Sequence, residues 1–389
     1  MMSENIHYQG FVKKKIKKKI KLQKFLSLKT LLKNYPLLNT LTSNYMYNYD
    51  KKILNNLKKF NDYNLIGIGG SALGTKAIYD FLNYKIKKKF YFYDNLQNSK
   101  ILKSNTNRLN IIVSKSGNTL ETISNLNLIS LRQKKNKNLI ITENKKNILN
   151  KLAKKLKSEV IEHKDYIGGR YSALSEVGML PAGLMGLNVK KFKVLNSLIR
   201  KKTFLNFLIS NVQSVYDNIL KGKKNCVILN YDEKSNNLFK WYQQLLAESL
   251  GKNGKGVFPI VSTMPKDNHS LLQLYLDGPK NNYFTFFSVK ENKSNKYNKL
   301  LLTNEIEYLK NFNVSDVLSA QRIATLKVFR KNKIPFRSFE IIKRNERAIG
   351  EIFCFFILET LLLAELLKVN PLNQPSVELI KTETKNILS

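Results

Sequence analysis

From about Asn64 onward, short runs of β-branched and aromatic residues alternate with longer stretches whose apolar positions recur every three or four residues. The pattern predicts strands at Asn64–Ile68, Phe90–Tyr93, Leu109–Val113, Leu139–Thr142 and Val160–His163. Helical patterns such as Leu73–Leu82 and Thr119–Leu131 lie between them. Strand and helix in alternation is the rhythm of a parallel sheet with helices on both faces. A second series begins near Cys226, with strands expected at Cys226–Asn230, Phe258–Val261, Tyr283–Val289 and Phe336–Ile341. Its helices are Leu238–Leu250, Ser315–Asn332 and Glu351–Leu367. The expected fold is α/β: two doubly wound parallel-sheet domains with a C-terminal helical segment. The expected division is a basic helical arm over residues 1–45, a first domain over 46–190 and a second over 191–389, the boundary falling in a helical stretch around 180–210.

Two apolar segments need separate treatment. Ile352 to Leu367 is interrupted by Glu359 and Glu365, so it reads as a buried helix and not as a membrane span. Phe11 to Phe25 sets Val12, Ile16, Ile20 and Leu22 among Lys13–Lys15 and Lys17–Lys19, the spacing of a basic amphipathic helix. Scarce Ser, Lys in place of Arg, and Glu4 argue against a targeting peptide and for a helix docked on the body.

Composition narrows the setting. A chain of 389 residues with 43% hydrophobic content can bury a sizeable core. Cys226 and Cys354 stand far apart, which excludes a disulfide framework and points to the cytoplasm. With only His7, His163 and His269 present, a His-rich metal site is not expected, and neither metal nor cofactor is called for. The net charge of +39 comes from 67 basic against 28 acidic residues. Most of the excess is Lys, accompanied by abundant Asn, Ile, Tyr and Phe, as an adenine- and thymine-rich coding sequence would produce. No nucleic-acid motif accompanies it, so neither a specific nucleic acid nor a membrane is an expected partner. A positive field that draws in a small anion is the other reading.

Chemistry concentrates in loops that follow strands, where open α/β sheets bind ligands. Gly67-Ile68-Gly69-Gly70-Ser71-Ala72-Leu73-Gly74 leaves a strand and opens a helix. Glycines admit an anion to the backbone, and Ser71 adds a donor. The spacing is neither that of a dinucleotide fingerprint nor that of a P-loop. A tight strand-to-helix turn needs glycine in any case, so the loop alone does not settle a ligand. Ser114-Lys115-Ser116-Gly117-Asn118-Thr119 follows the next-but-one strand and brings three hydroxyls and an ammonium to a helix start. One such residue suffices for a cap; this set suits a phosphate dianion.

Further along stand Gly168-Gly169-Arg170, then Gln244 and Glu248 at helical spacing in Gln244-Leu245-Leu246-Ala247-Glu248-Ser249-Leu250-Gly251-Lys252. Asp267-Asn268-His269-Ser270 and Asn373-Gln374-Pro375-Ser376-Val377-Glu378-Leu379-Ile380-Lys381 complete the series. The two loops resemble the sugar-isomerase (SIS) fold, and all six segments in this order resemble the glucose-6-phosphate isomerase family over Gly67 to Lys381. Asn268 and Asn373 stand where that family has Gln and Asp.

The resemblance implies aldose–ketose isomerisation of glucose 6-phosphate and fructose 6-phosphate through a cis-enediolate, as in glycolysis and gluconeogenesis. It implies catalytic roles for Glu248 (the base), Arg170 (enediolate charge), His269 and Lys381 (ring opening). Gly70, Ser71, Ser114, Lys115, Ser116, Thr119, Gly169, Gln244 and Gln374 would bind the substrate and its phosphate. It further implies a homodimer in which His269 crosses the interface. A bifunctional phosphoglucose/phosphomannose isomerase and a non-catalytic phosphosugar-binding regulator are the alternatives.

Overall fold

The structure is a computed structural model that describes residues 3–11, 28–96, 108–132, 136–291 and 294–388. Among the described residues, ten strands form two sheets: β1 Ile6–Gln9, β2 Asp62–Ile66, β3 Lys89–Tyr93, β4 Leu109–Val113, β5 Lys137–Thr142, β6 Glu159–Glu162, β7 Asn225–Asn230, β8 Phe258–Thr263, β9 Asn282–Val289 and β10 Phe336–Ile341. The first sheet is parallel throughout, in the order β3-β2-β4-β5-β6. The second runs β1-β10-β9-β7-β8 and is parallel except at β1. Both predicted series are present, with ends shifted by a residue or two.

The central strands are apolar on both faces because each sheet is covered twice. In β4, Ile111 and Val113 join a core shared by the two sheets, whereas Ile112 faces an outer cluster with Leu126, Ile129 and Leu149. In β7, Cys226 and Ile228 face the shared core; Val227 and Leu229 pack outward against Phe284, Phe286, Phe329 and Phe336. Between the sheets run the helices Asn236–Leu250 and Glu346–Leu367, the latter buried almost from end to end. Asn345 caps the second of these, accepting a hydrogen bond from the Ala348 amide at 2.9 Å.

Glu359, which breaks the apolar run in the sequence, is the buried counterion of Arg337; both side chains are 0% exposed. Tyr242 donates to its other oxygen at 2.8 Å. Thr285 accepts from Arg337 Nε at 2.9 Å, and Asn211 accepts from Nη1 at 3.0 Å. The network ties β9 and β10 to three helices.

The N-terminal expectation needs correcting. Ile6–Gln9 is not part of a helical arm but a strand, paired antiparallel with β10 from Ile6↔Ile341 to Gln9↔Ser338. Four residues carry too little periodicity to reveal a strand whose existence depends on a distant partner. The basic helix expected over Phe11–Phe25 lies outside the described residues, apart from Phe11 itself. Among the described residues, no helix is long and apolar enough to cross a membrane.

Candidate active site

In the first sheet, β2 leads to β3 on one side and lies beside β4 on the other. The point where the order reverses opens a crevice at the strand C-termini, and both predicted loops sit there. The turn residues 69–71 follow β2, with Gly69 at φ +57°. Gly67 packs against the end of β4: a Cβ added to it would lie 2.9 Å from the Val113 carbonyl. In the second loop Ser114 Oγ and Thr119 Oγ1 are 2.7 Å apart, Ser114 is buried and Ser116 is exposed. Gly117 supplies φ +66°, where an added Cβ would strike Asn147. Lys115, in contrast, is engaged elsewhere: its Nζ donates to the Asp165 carbonyl at 2.6 Å and lies 3.5 Å from Glu143 Oε1.

The Gly168-Gly169-Arg170 segment meets the first loop backbone to backbone. A Cβ on Gly70 would fall 2.1 Å from the Gly169 carbonyl carbon. Ser172 Oγ donates to the carbonyls of Gly169 and Gly70 at 2.7 and 3.2 Å, closing the join. Trp241 Nε1 donates to the Arg170 carbonyl at 3.0 Å, which ties the join to the helix Asn236–Leu250. That helix aims Gln244 and Glu248 at the same point. Gln244 Nε2 donates to Glu248 Oε1 at 2.8 Å and would lie 2.8 Å from a Cβ on Gly69.

Arg170 is the hub, its side chain 2% exposed. Nη1 donates to Glu248 Oε2 at 3.0 Å and to Gln374 Oε1 at 2.5 Å; Nε donates to Ser249 Oγ at 2.9 Å. Nη2 donates to the carbonyls of Pro371 and Asn373. Glu248 keeps a quarter of its surface open (26% exposed), so its carboxylate is held on one side and accessible on the other. Lys252 Nζ donates to the carbonyls of Glu248 and Ser249 at 2.7 and 2.9 Å, closing the helix C-terminus. Desolvation, with Arg170 nearby, lowers the Lys252 pKa to about 8.

The fold therefore assembles Gly70, Gly169, Arg170, Gln244, Glu248 and Gln374, with Ser71, Ser114, Ser116 and Thr119 on the adjoining strand ends. It does not bring in two of the predicted catalytic residues. Lys381 sits on the helix Pro375–Leu388, more than half exposed, and its Nζ is bonded to Glu378 Oε1 at 2.6 Å. Gln374, which reaches Arg170, lies just before that helix, whereas Lys381 lies within it. His269 ends a short turn after β8 and is exposed, with no described contact to the cluster. The site also takes in Ser249, Lys252, the carbonyls of Pro371 and Asn373, and Tyr171, whose hydroxyl lies 2.8 Å from Ser249 Oγ and donates to the Pro371 carbonyl at 3.1 Å. Ser249 adjoins Glu248 and was open to notice; backbone carbonyls leave no signal in a sequence.

A buried arginine holding an accessible carboxylate beside two hydroxyl-bearing glycine loops defines a phosphosugar isomerase of the SIS fold. Solved structures share the architecture: a hypothetical protein of Thermus thermophilus superposes with TM-score 0.80 at 23% identity, covering 95% of this chain and 94% of that one. A glucose-6-phosphate isomerase of Chlamydia trachomatis gives TM-score 0.69 at 19% identity, covering 93% and 75%. The phosphoglucose isomerase family model matches residues 52–389, and the glucose-6-phosphate isomerase of Methanocaldococcus jannaschii is 33% identical over 85% of each chain. The chain belongs to the phosphoglucose isomerase family.

Proposed function

We propose that this protein interconverts glucose 6-phosphate and fructose 6-phosphate in the cytoplasm, with Glu248 as the base. The observation that carries the reading is the Arg170–Glu248 pair at 3.0 Å, its carboxylate also held by Gln244 and open to the crevice. Ser71, Ser114, Ser116, Thr119 and the strand-end amides take the 6-phosphate, and Lys115 joins them by leaving the Asp165 carbonyl. Once the sugar is open, Glu248 removes the proton from C2. The electron pair moves to the carbonyl oxygen, giving a cis-enediolate whose negative charge faces the Arg170 guanidinium. The O2 proton then passes to O1, the charge moves to O2, and return of the abstracted proton from Glu248 to C1 leaves the ketone at C2; the reverse order gives the aldose.

Ring opening falls to His269 and Lys381. The exposure of His269 suits delivery from a second copy of the chain in a homodimer. Lys381 contributes only if the Pro375–Leu388 helix turns toward the crevice when substrate arrives. The decisive experiment is fructose 6-phosphate turnover by the purified protein in a coupled assay, wild type against Glu248→Gln. Loss of a proton-transfer base is expected to lower kcat by about 10²–10⁴-fold. Turnover undiminished in the variant would remove Glu248 from the role.

A further inference from the structure

A groove of about 680 Å³ lies between the N-terminal segment, residues 188–200 and the start of the helix Glu346–Leu367, and it shares no lining residue with the Arg170–Glu248 cluster. Its walls are rich in basic side chains, but pairing removes several of them. Lys85 is bonded to Glu346 at 2.7 Å and Arg347 to Glu351 at 3.2 Å. Lys193 Nζ is turned away onto the carbonyls of Thr40 and Leu174. Lys190, Lys191, Arg200 and Lys343 remain: all line the groove, all are exposed, and none has a side-chain acceptor among the described residues. Among those residues, the only lining carboxylate outside a pair is that of Glu4. Four unpaired cations around one concavity favour a ligand with several negative charges.

A second feature comes from a neutral side chain. Asn196 lines the same groove, and its Oδ1 is buried without a partner. A buried acceptor left unmet is costly, and it asks for a hydrogen-bond donor. A fully ionised phosphate chain has none; a hydroxyl or amine on an organic body does. The volume also exceeds what phosphates alone need and falls in the range of about 300–1,000 Å³ usual for small-molecule sites.

We propose that this groove binds an organic polyphosphate of the nucleoside triphosphate class. The phosphates meet Lys190, Lys191, Arg200 and Lys343, and a hydroxyl or amine of the body donates to Asn196 Oδ1 once the side chain turns that atom, now without accessible surface, into the groove. Isothermal titration with ATP and with inorganic tripolyphosphate, both without magnesium, tests the two halves of the site. ATP is expected to bind at one site and more tightly than tripolyphosphate. Lys190→Glu/Lys191→Glu should weaken ATP by about tenfold or more. Lys327→Glu/Lys331→Glu, the same charge change on the exposed face of the helix Val314–Lys331, should alter it by less than about twofold. Asn196→Ala should bring ATP down to the tripolyphosphate affinity and leave tripolyphosphate unchanged. Thermal unfolding midpoints check that each variant folds, with Arg200→Glu/Lys343→Glu as the substitute pair. Equal losses in the groove and control variants would mean diffuse attraction to a basic protein and overturn the site. Equal affinity of wild type for ATP and tripolyphosphate would overturn the organic half.

Discussion

Arg170 has five N–H donors in a rigid fork, and every arm of that fork finds an acceptor on this chain. A lysine in its place could not hold Glu248, Gln374, Ser249 and two carbonyls at once, so the position demands arginine for geometry as well as charge. Lys252 holds the backbone of the same glutamate from behind. Its ammonium spans two carbonyls in the last turn of the helix that carries Glu248, and its proton is lost near pH 8. Below that value the site holds one more positive charge; above it that charge disappears. The KM for the dianionic substrate is therefore expected to rise as pH passes about 8. Lys252→Arg, which stays charged, should abolish that rise, and Lys252→Met should show the higher KM at every pH. A wild-type KM that stays flat from neutral to alkaline pH would show that Lys252 does not tune substrate binding.

At the scale of elements, the site exists because two loops touch without side chains between them. The contact is asymmetric: a Cβ on Gly70 would lie 2.1 Å from the Gly169 carbonyl carbon, while one on Gly169 would lie 3.8 Å from Gly70 Cα. Gly70→Ala must push the loops apart, and a misplacement on the order of 1 Å costs about 10²-fold in rate. Gly169→Ala is expected to retain near-normal turnover; comparison of the two variants in one assay checks the prediction. Much at this scale was legible in the sequence. Leu109–Val113 read to the residue because a mostly apolar run bounded by polar turns has few other interpretations. Phe336–Ile341 did so on Phe336, Phe339 and Ile341, although Arg337, Ser338 and Glu340 interrupt it. Glu248 and Gln244 were legible because a four-residue spacing survives folding when both sit inside one helix. Gln374 and Lys381 offer no such spacing, because Gln374 stands outside the helix Pro375–Leu388 that carries Lys381. The first strand was invisible, since nothing in Ile-His-Tyr-Gln announces its pairing with residues more than three hundred positions away.

Across the whole molecule, the two sheets are one folding unit as far as their common core is concerned, and the Arg337–Glu359 pair lies within it. Removing Arg337 leaves the buried Glu359 carboxylate without a counterion and with only neutral donors, so Arg337→Met should cost about 3–5 kcal/mol in urea denaturation. Arg337→Met/Glu359→Leu should recover much of that loss, and a double variant no more stable than the single one would contradict this account. The antiparallel strand β1 has a consequence of another kind. It lies along the outer side of β10, with the Asn5 carbonyl taking the Ile342 amide at 2.7 Å. Without it, β10 would present a bare row of amides and carbonyls, the template on which strands of separate molecules stack into aggregates. Four residues near the start of the chain thus serve as a stopper, and proteolytic trimming there would threaten solubility before it touched the chemistry.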